Sequence, residues 1–290
     1  MNDLFAPFVD NEFMRNALVS GVLVSILCAC VGTYVVLRGM SFVGDALAHG
    51  VLPGIAVAML IGAPTVAGAA VGALVMMGGV NVVQRRTRLS SDTAIGLLFV
   101  GMLALGVIIT SRSASFTGDI TRILFGELLG VGRAQLWWTF GVLVAVAAVT
   151  WVFRRPFQLL CIDDDLADTS GFRSGRHNAL MMGLIGAVVV ASFQTVGSLL
   201  VFGMLVAPSA TAALITRRIG SMILVASVIG SLSTWIGLLV SYHADLSAGA
   251  TVVLTSVGFF VVGLVFRGGD RGYVSAHPSH GAHSHGGHGH

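Results

Sequence analysis

Long apolar stretches recur along almost the whole chain, and they restrict its possible folds more than any other feature of the sequence. Each runs for roughly 17 to 25 residues, the length that a helix needs to cross a hydrocarbon layer of ~30 Å. Lipid offers the backbone no hydrogen-bonding partner, so such a chain crosses as helices with internal hydrogen bonds. Charged residues are 10% of the total, against about a quarter in soluble domains. The sequence therefore predicts an all-α, polytopic transmembrane helical bundle.

The apolar stretches divide into about nine predicted spans, with eight as the alternative. They form a single transmembrane domain over 14–266, between a short extracytoplasmic N-terminus (1–13) and a disordered, His-rich tail (267–290). A short helix that lies on the membrane surface is expected at 120–132. The predicted spans are 14–37, 40–61, 64–84, 92–111, 134–153, 177–193, 195–216, 219–242 and 248–266.

The basic residues predict the orientation of the bundle. All 16 are arginines, and most of them fall at span ends on one side if the N-terminus is outside. That side is expected to be cytoplasmic, together with the C-terminus. A glycine-rich phosphate loop ends in Lys followed by Ser or Thr, so a chain without lysine cannot contain one. We therefore expect no ATPase site in this polypeptide. It also has no H-E-x-x-H motif, which argues against an intramembrane metalloprotease.

An aspartate and a histidine lie inside the second predicted span. Asp45 and His49 are four residues apart, which places both side chains on one helical face about 6 Å apart along the axis. An ionised carboxylate at this depth costs something like 2.5 to 3.5 kcal/mol unless it faces a partner or a pathway. Carboxylate oxygen and imidazole nitrogen together suit Mn(II), Fe(II) or Zn(II). The pair is our candidate metal site.

Two ligands do not complete such a site, because zinc takes about four. Two copies of the helix across a two-fold axis supply two carboxylates and two imidazoles, which predicts a homodimer with the ion on its axis. The alternative is structural, with Asp45 capping the helix and His49 pairing with it locally. Pro53 follows closely and predicts a loosened helix near residue 49.

The same stretch carries a family resemblance. "MSFVGDALAHGVLPGIAVA" (40–58) resembles a signature of the membrane subunits of manganese, zinc and iron ABC importers, which are served by cluster A-I binding proteins. Three further stretches are similar to that family in the expected order. These are "LFGELLGV" (124–131), "QTVGSLLVFGMLVAPSATA" (194–212) and "SYHADLSAGATVVL" (241–254).

The resemblance implies a homodimeric permease in a bacterial inner membrane. It would receive a divalent cation from an extracytoplasmic metal-binding protein and be driven by two cytoplasmic ABC ATPase subunits. Asp45 and His49 match the residues that line the ion path in this family. The transported ion would be the only metal, with no permanently bound cofactor. The proline in "GVLPG" (50–54) is more similar to manganese-type members than to zinc-type ones.

The polar stretch 154–176 resembles the segment of such permeases that contacts the ATPase. Its expected coupling residues are Asp163, Asp164, Asp165, Ala167 and Gly171. Gly171 is a suitable residue to end a short helix. The alternative is a solvated acidic loop that only keeps the linker in water.

The C-terminal tail is a second candidate for metal binding. It has a low-complexity sequence that cannot form a packed core. Its possible auxiliary ligands are His277, His280, His283, His285, His288 and His290. Clustered imidazoles bind Zn(II) more strongly than Mn(II), so the tail favours zinc where "GVLPG" favours manganese. A tail without any role in transport is the alternative.

Taken together, these features predict the permease subunit of an ATP-driven importer of Mn(II) or Zn(II), with Fe(II) ranked third. The alternative is a secondary carrier of divalent metals coupled to protons or other ions. Such a carrier would also need an intramembrane aspartate and histidine, but it would leave the segment 154–176 without a purpose.

Overall fold

The computed structural model describes residue 8 and residues 11–87, 91–111 and 128–268. This part of the chain is helical throughout and contains no strand, which confirms the predicted fold class. The expected surface helix at 120–132 lies mostly outside the described residues, and only a 3₁₀ turn at Leu128–Gly130 is seen. Arg267 and Gly268 end the last helix, and the rest of the predicted tail lies outside the described residues.

Eleven helices are present in the described residues. In chain order they are α1 (Glu12–Leu37), α2 (Ser41–Gly50), α3 (Leu52–Leu60), α4 (Thr65–Arg86), α5 (Ser91–Thr110), α6 (Arg133–Val152), α7 (Arg154–Leu160), α8 (Asp164–Thr169), α9 (Ser174–Ile215), α10 (Ile219–Ala244) and α11 (Ala248–Gly268). Seven stretches within them are long and apolar enough to cross a membrane, and two shorter apolar helices lie at 93–109 and 199–215. Together these nine segments match the nine predicted spans.

Helices α2 and α3 make up one of those spans. They are separated only at Val51, which keeps helical backbone angles of φ −76° and ψ −20°. Pro53 lies in the first turn of α3, where its missing N–H costs no hydrogen bond. The separation therefore lies close to where Pro53 predicts it, two residues after His49.

Helix α9 is two spans joined by a reversal at Gly197. This glycine has φ 76° and ψ 167°, a conformation open to almost no other residue. Asn178 bonds to Arg38 at the end of α1, yet the carbonyl of Leu205 lies directly against Gly32, one to two turns earlier in α1. A straight helix from 178 to 205 would be roughly 40 Å long and would separate these contacts. We name the two halves α9a (174–196) and α9b (198–215).

The centre of the bundle is built from α1, α9 and α10. Small residues let these helices approach closely, as expected where lipid and protein interior are equally apolar. A Cβ on Gly21 would overlap the side chain of Thr234 in α10. Ser25 of α1 lies 3.3 Å from Thr234 and also donates a 2.6 Å bond to the Gly21 carbonyl. The outer helices α5, α6 and α11 expose many large apolar side chains, as lipid-facing or partner-facing surfaces would.

The two ends of the bundle differ in charge. One end, which we call the arginine-rich side, carries Arg38, Arg154, Arg218 and Arg267. There Arg154 lies 5.0 Å above the ring of Trp151, and Arg267 donates to the Leu214 carbonyl. Exposed Trp137 and Trp138 lie at the opposite end of α6. Tryptophans at both ends of one span are typical of the two membrane interfaces.

Candidate metal site on helix α2

Asp45 and His49 form a close pair on α2. The His49 Nε2 and the Asp45 Oδ1 are 3.5 Å apart, and the exposed fractions of the two side chains are 22% and 31%. Two ligand atoms that each lie about 2.0–2.2 Å from one tetrahedral ion are roughly 3.3–3.6 Å apart. The observed separation of 3.5 Å lies within this range.

The pair lies on the one accessible stripe of α2. Phe42, on the same helical face, exposes 65% of its surface. The remaining faces of this helix are packed inside the bundle through residues Val43, Gly44, Ala46, Leu47, Ala48 and Gly50. The two ionisable groups of α2 are thus available to a species outside the described chain.

The imidazole of His49 is held from one side by an aromatic ring. Phe99 of α5 meets it edge to face, with ring centroids 5.5 Å apart. The Nδ1 atom is buried, and no described group bonds to it. The nitrogen that faces Asp45 is Nε2, so this is the nitrogen positioned to bind an ion.

The backbone around His49 is packed against α4 with little freedom. A Cβ on Gly72 would lie 2.9 Å from the Val51 Cα and 3.0 Å from the Gly50 carbonyl oxygen. Gly50 in turn lies against the Met76 side chain, with 3.0 Å from an added Cβ to its Cγ. These contacts determine the position of the residues that immediately follow His49.

One copy of the described chain gathers too few ligands for a complete site. Among the described residues, no group of three or more His, Cys, Asp or Glu side chains is placed to hold a metal ion. The six tail histidines predicted as auxiliary ligands, His277, His280, His283, His285, His288 and His290, lie outside the described residues. If Asp45 and His49 bind an ion, further ligands must come from outside the described residues of one copy.

A cavity of about 470 Å³ lies behind α2, on the side away from the pair. Val43 and Leu47 of α2 line it, with Met76 and Gly78 of α4 and Asn178 of α9a opposite. Its lining is mostly apolar, and Asn178 places it towards the arginine-rich side. Helix α2 therefore has unfilled space next to its buried face.

The segment 154–176 folds into two short helices and a turn on the arginine-rich side. Asp163 caps α8 by accepting a 3.0 Å bond from the Asp165 N–H. Gly171 has φ 85° and ends the segment's second helix, in agreement with its predicted role as a helix stop. Asp168 accepts bonds from the Ser174 N–H (2.8 Å) and hydroxyl (2.7 Å), and these bonds hold the pKa of Asp168 below its usual value.

The surface of this segment differs from the one expected in one respect. Ala167 is fully buried, so it packs the segment against the bundle and presents nothing to a partner. Two apolar residues that the sequence analysis did not single out are exposed, Ile162 at 74% and Leu166 at 42%. Their signal in the sequence was an apolar residue on either side of the acidic run 163–165.

Comparisons with known proteins extend over nearly the whole chain. Residues 10–267 match the family described as ABC 3 transport family. The manganese import system permease protein ScaB of Streptococcus parasanguinis is 37% identical, over 89% of this chain and 94% of that protein. A probable iron transport system membrane protein of Haemophilus influenzae is also 37% identical, over 88% and 94%.

A solved structure matches as well. PsaBC from Streptococcus pneumoniae, in complex with a Fab, superimposes with a TM-score of 0.81 at 33% identity. The match covers 90% of this chain and 94% of that chain.

Proposed function

The chain belongs to the ABC 3 transport family, and from this premise we propose that it is the membrane-spanning permease subunit of an ATP-driven importer of divalent transition-metal ions. The pairing of Asp45 with His49 on the open stripe of α2 is the observation that supports this proposal most strongly. The match to relatives named for manganese and iron transport supports the class of substrate.

In our proposal the metal site is formed by two copies of the chain. Each copy contributes one carboxylate and one imidazole, which gives four ligands and neutralises an ion of charge 2+. The pair belongs to the accessible face of α2, which is the face a second copy has to approach. The same ligands, arranged on the two-fold axis, would form a checkpoint that every transported ion must pass.

Mn(II) is the ion we propose first. Oxygen and nitrogen ligands without thiolates suit Mn(II) and Fe(II), and the named relatives transport manganese or iron. Fe(II), ranked third from the sequence, gains support from the relative named for iron transport, whereas the preference for Zn(II) over Mn(II) comes from the chemistry of the tail. Competition between Mn(II), Fe(II) and Zn(II) for uptake, with and without residues 277–290, identifies the ion and tests the tail.

Energy would come from ABC ATPase subunits that bind the segment 154–176. The chain contains no lysine and hence no phosphate loop of its own. On this segment, exposed Ile162 and Leu166 flank the acidic residues Asp163 and Asp165, a combination suited to a groove with an apolar floor and a basic rim. The arginine-rich side is then cytoplasmic, and the ion arrives on the opposite side from a metal-binding protein.

Substitution of the two ligands tests this proposal. In vesicles that contain the permease and its ATPase, we expect Asp45→Asn and His49→Ala each to abolish ATP-dependent Mn(II) uptake. Dimer and ATPase assembly should be retained, because both side chains are partly exposed and neither anchors the core.

The chain offers a matched control at the end of α10. His243 and Asp245 are also a histidine and an aspartate close together in sequence, but His243 Nδ1 lies 2.9 Å from its own helix at the Leu239 carbonyl. Asp245→Asn and His243→Ala should keep uptake near the wild-type rate. Normal uptake by both α2 variants would refute the site, and uptake by the chain alone, without ATP, would favour the secondary carrier.

A further inference from the structure

Arg38 joins three parts of the molecule on the arginine-rich side. It is the residue that ends α1, and only Gly39 and Met40 separate it from α2. One arm of its guanidinium, Nη2, donates to Asp164 Oδ1 on α8 at 2.8 Å. The other arm, Nη1, donates to Asn178 Oδ1 on α9a at 2.5 Å. Asp164 and Asn178 are 126 and 140 residues away from Arg38 in the sequence, so these contacts exist only through the tertiary fold.

The turn that carries Arg38 is short and closed by hydrogen bonds. Its backbone is closed by three hydrogen bonds back to α1, from Arg38 to Tyr34, from Gly39 to Val36 and from Met40 to Val35. Gly39 has φ 66°, which glycine adopts without strain. The turn therefore holds Arg38 within three residues of the start of α2, and Asp45 lies about one helical turn beyond that start.

The two ends of the ion pair lie in different surroundings. The Arg38 side chain is 12% exposed, whereas Asp164 is 57% exposed and belongs to the segment proposed to bind the ATPase. A nearly buried arginine that uses both arms cannot be replaced by lysine, whose single ammonium reaches one partner at a time. Behind α2, the cavity lined by Val43, Leu47 and Asn178 leaves room for the helix to move.

From these contacts we propose that Arg38 is a positioning residue that couples movement of the segment 154–176 to helix α2 and hence to Asp45 and His49. The proposal rests on the proposed function, because it assigns a role in ATP-driven transport. Asp164 is the point at which motion enters, and Asn178 is the fixed point on α9a against which the turn moves. Loss of Arg38 would leave the ATPase active and the ion site intact, but would disconnect one from the other.

The test measures how many metal ions are transported per ATP hydrolysed, in proteoliposomes that contain the permease and its ATPase partner. We expect Arg38→Ala to lower this ratio at least about fivefold, the lower end of usual coupling between distant sites, while ATP hydrolysis continues. Arg38→Lys should also lower the ratio, because lysine cannot hold both partners. Asp164→Asn should lower it less, since a neutral amide still accepts a hydrogen bond.

A second ion pair provides the matched control. Arg133 Nη2 donates to Glu12 Oε1, also at 2.8 Å, but at the opposite end of the bundle and with both side chains well exposed. Arg133→Ala should leave the ratio unchanged. If Arg38→Ala does not assemble, Asp164→Asn carries the test. Asp164 is exposed enough for its substitution to leave folding intact.

The outcomes separate the two proposals. A ratio that stays at the wild-type value in the Arg38 and Asp164 variants would overturn the coupling role, as would a loss of transport and ATP hydrolysis in equal proportion. If the coupling role fails in this way, the proposed function still holds provided that the wild-type protein transports the metal and the Asp45→Asn variant does not. Uptake by the wild-type protein that does not depend on ATP would refute both the proposed function and the coupling role of Arg38.

Discussion

Replacement of Gly72 by alanine tests whether the position of His49 depends on close packing against α4. The added Cβ would lie 2.9 Å from the Val51 Cα, whereas ordinary contact between carbon atoms needs about 3.5–4.0 Å. Helix α4 and the junction between α2 and α3 must therefore separate by roughly 0.6–1 Å. Metal ligands tolerate about 0.2 Å, so the displacement exceeds what the site can absorb.

The expected result has a kinetic and a thermodynamic part. The metal concentration for half-maximal uptake should rise roughly 10–100-fold, the usual range when the support of a metal ligand is lost. Alanine gains about 1 kcal/mol of helix propensity over glycine, but overpacking costs about 1–3 kcal/mol. The net free energy of unfolding should fall by roughly 1 kcal/mol.

Gly78→Ala is the matched control on the same helix. Gly78 lines the cavity behind α2, and an added Cβ there meets nothing within 4 Å. This variant should keep wild-type uptake and gain about 1 kcal/mol of stability. Uptake titrations in proteoliposomes and thermal unfolding in detergent measure both effects. If Gly72→Ala behaves like Gly78→Ala in both assays, the packing argument for His49 is wrong.

Two further predictions concern the reversal in α9 and the thiol of Cys161 in the segment 154–176. Gly197→Ala should lower the free energy of unfolding by about 1–3 kcal/mol, because the backbone conformation at 197 is restricted to glycine. Gly183→Ala in the same helix should not lower it, since an added Cβ there meets open space. Equal thermal unfolding temperatures for the two variants would contradict the reversal. Burial raises the pKa of Cys161 to about 11. Its alkylation rate, followed by mass spectrometry, should therefore increase about tenfold per pH unit from pH 7 to 10. A rate that levels off near pH 9 would contradict this shift in pKa.

The spans and the pairing of Asp45 with His49 follow from local properties of the sequence. The length of an apolar run decides whether a helix can cross the membrane, and no knowledge of neighbours is needed. Helical spacing alone places Asp45 and His49 on one face. The predicted spans 177–193 and 195–216 divide the long apolar run close to the observed break at Gly197, although the predicted boundary lies three residues earlier.

Contacts between residues distant in sequence were decided by the tertiary structure alone. Neither the bonds from Arg38 to Asp164 and Asn178 nor the ring of Phe99 beside His49 leaves a local pattern in the sequence. The burial of Ala167 and the exposure of Ile162 likewise depend on how α8 packs against α7 and α9. Periodicity specifies which face of a helix is apolar, but only the assembled bundle determines what that face touches, since packing sums contacts over the whole chain.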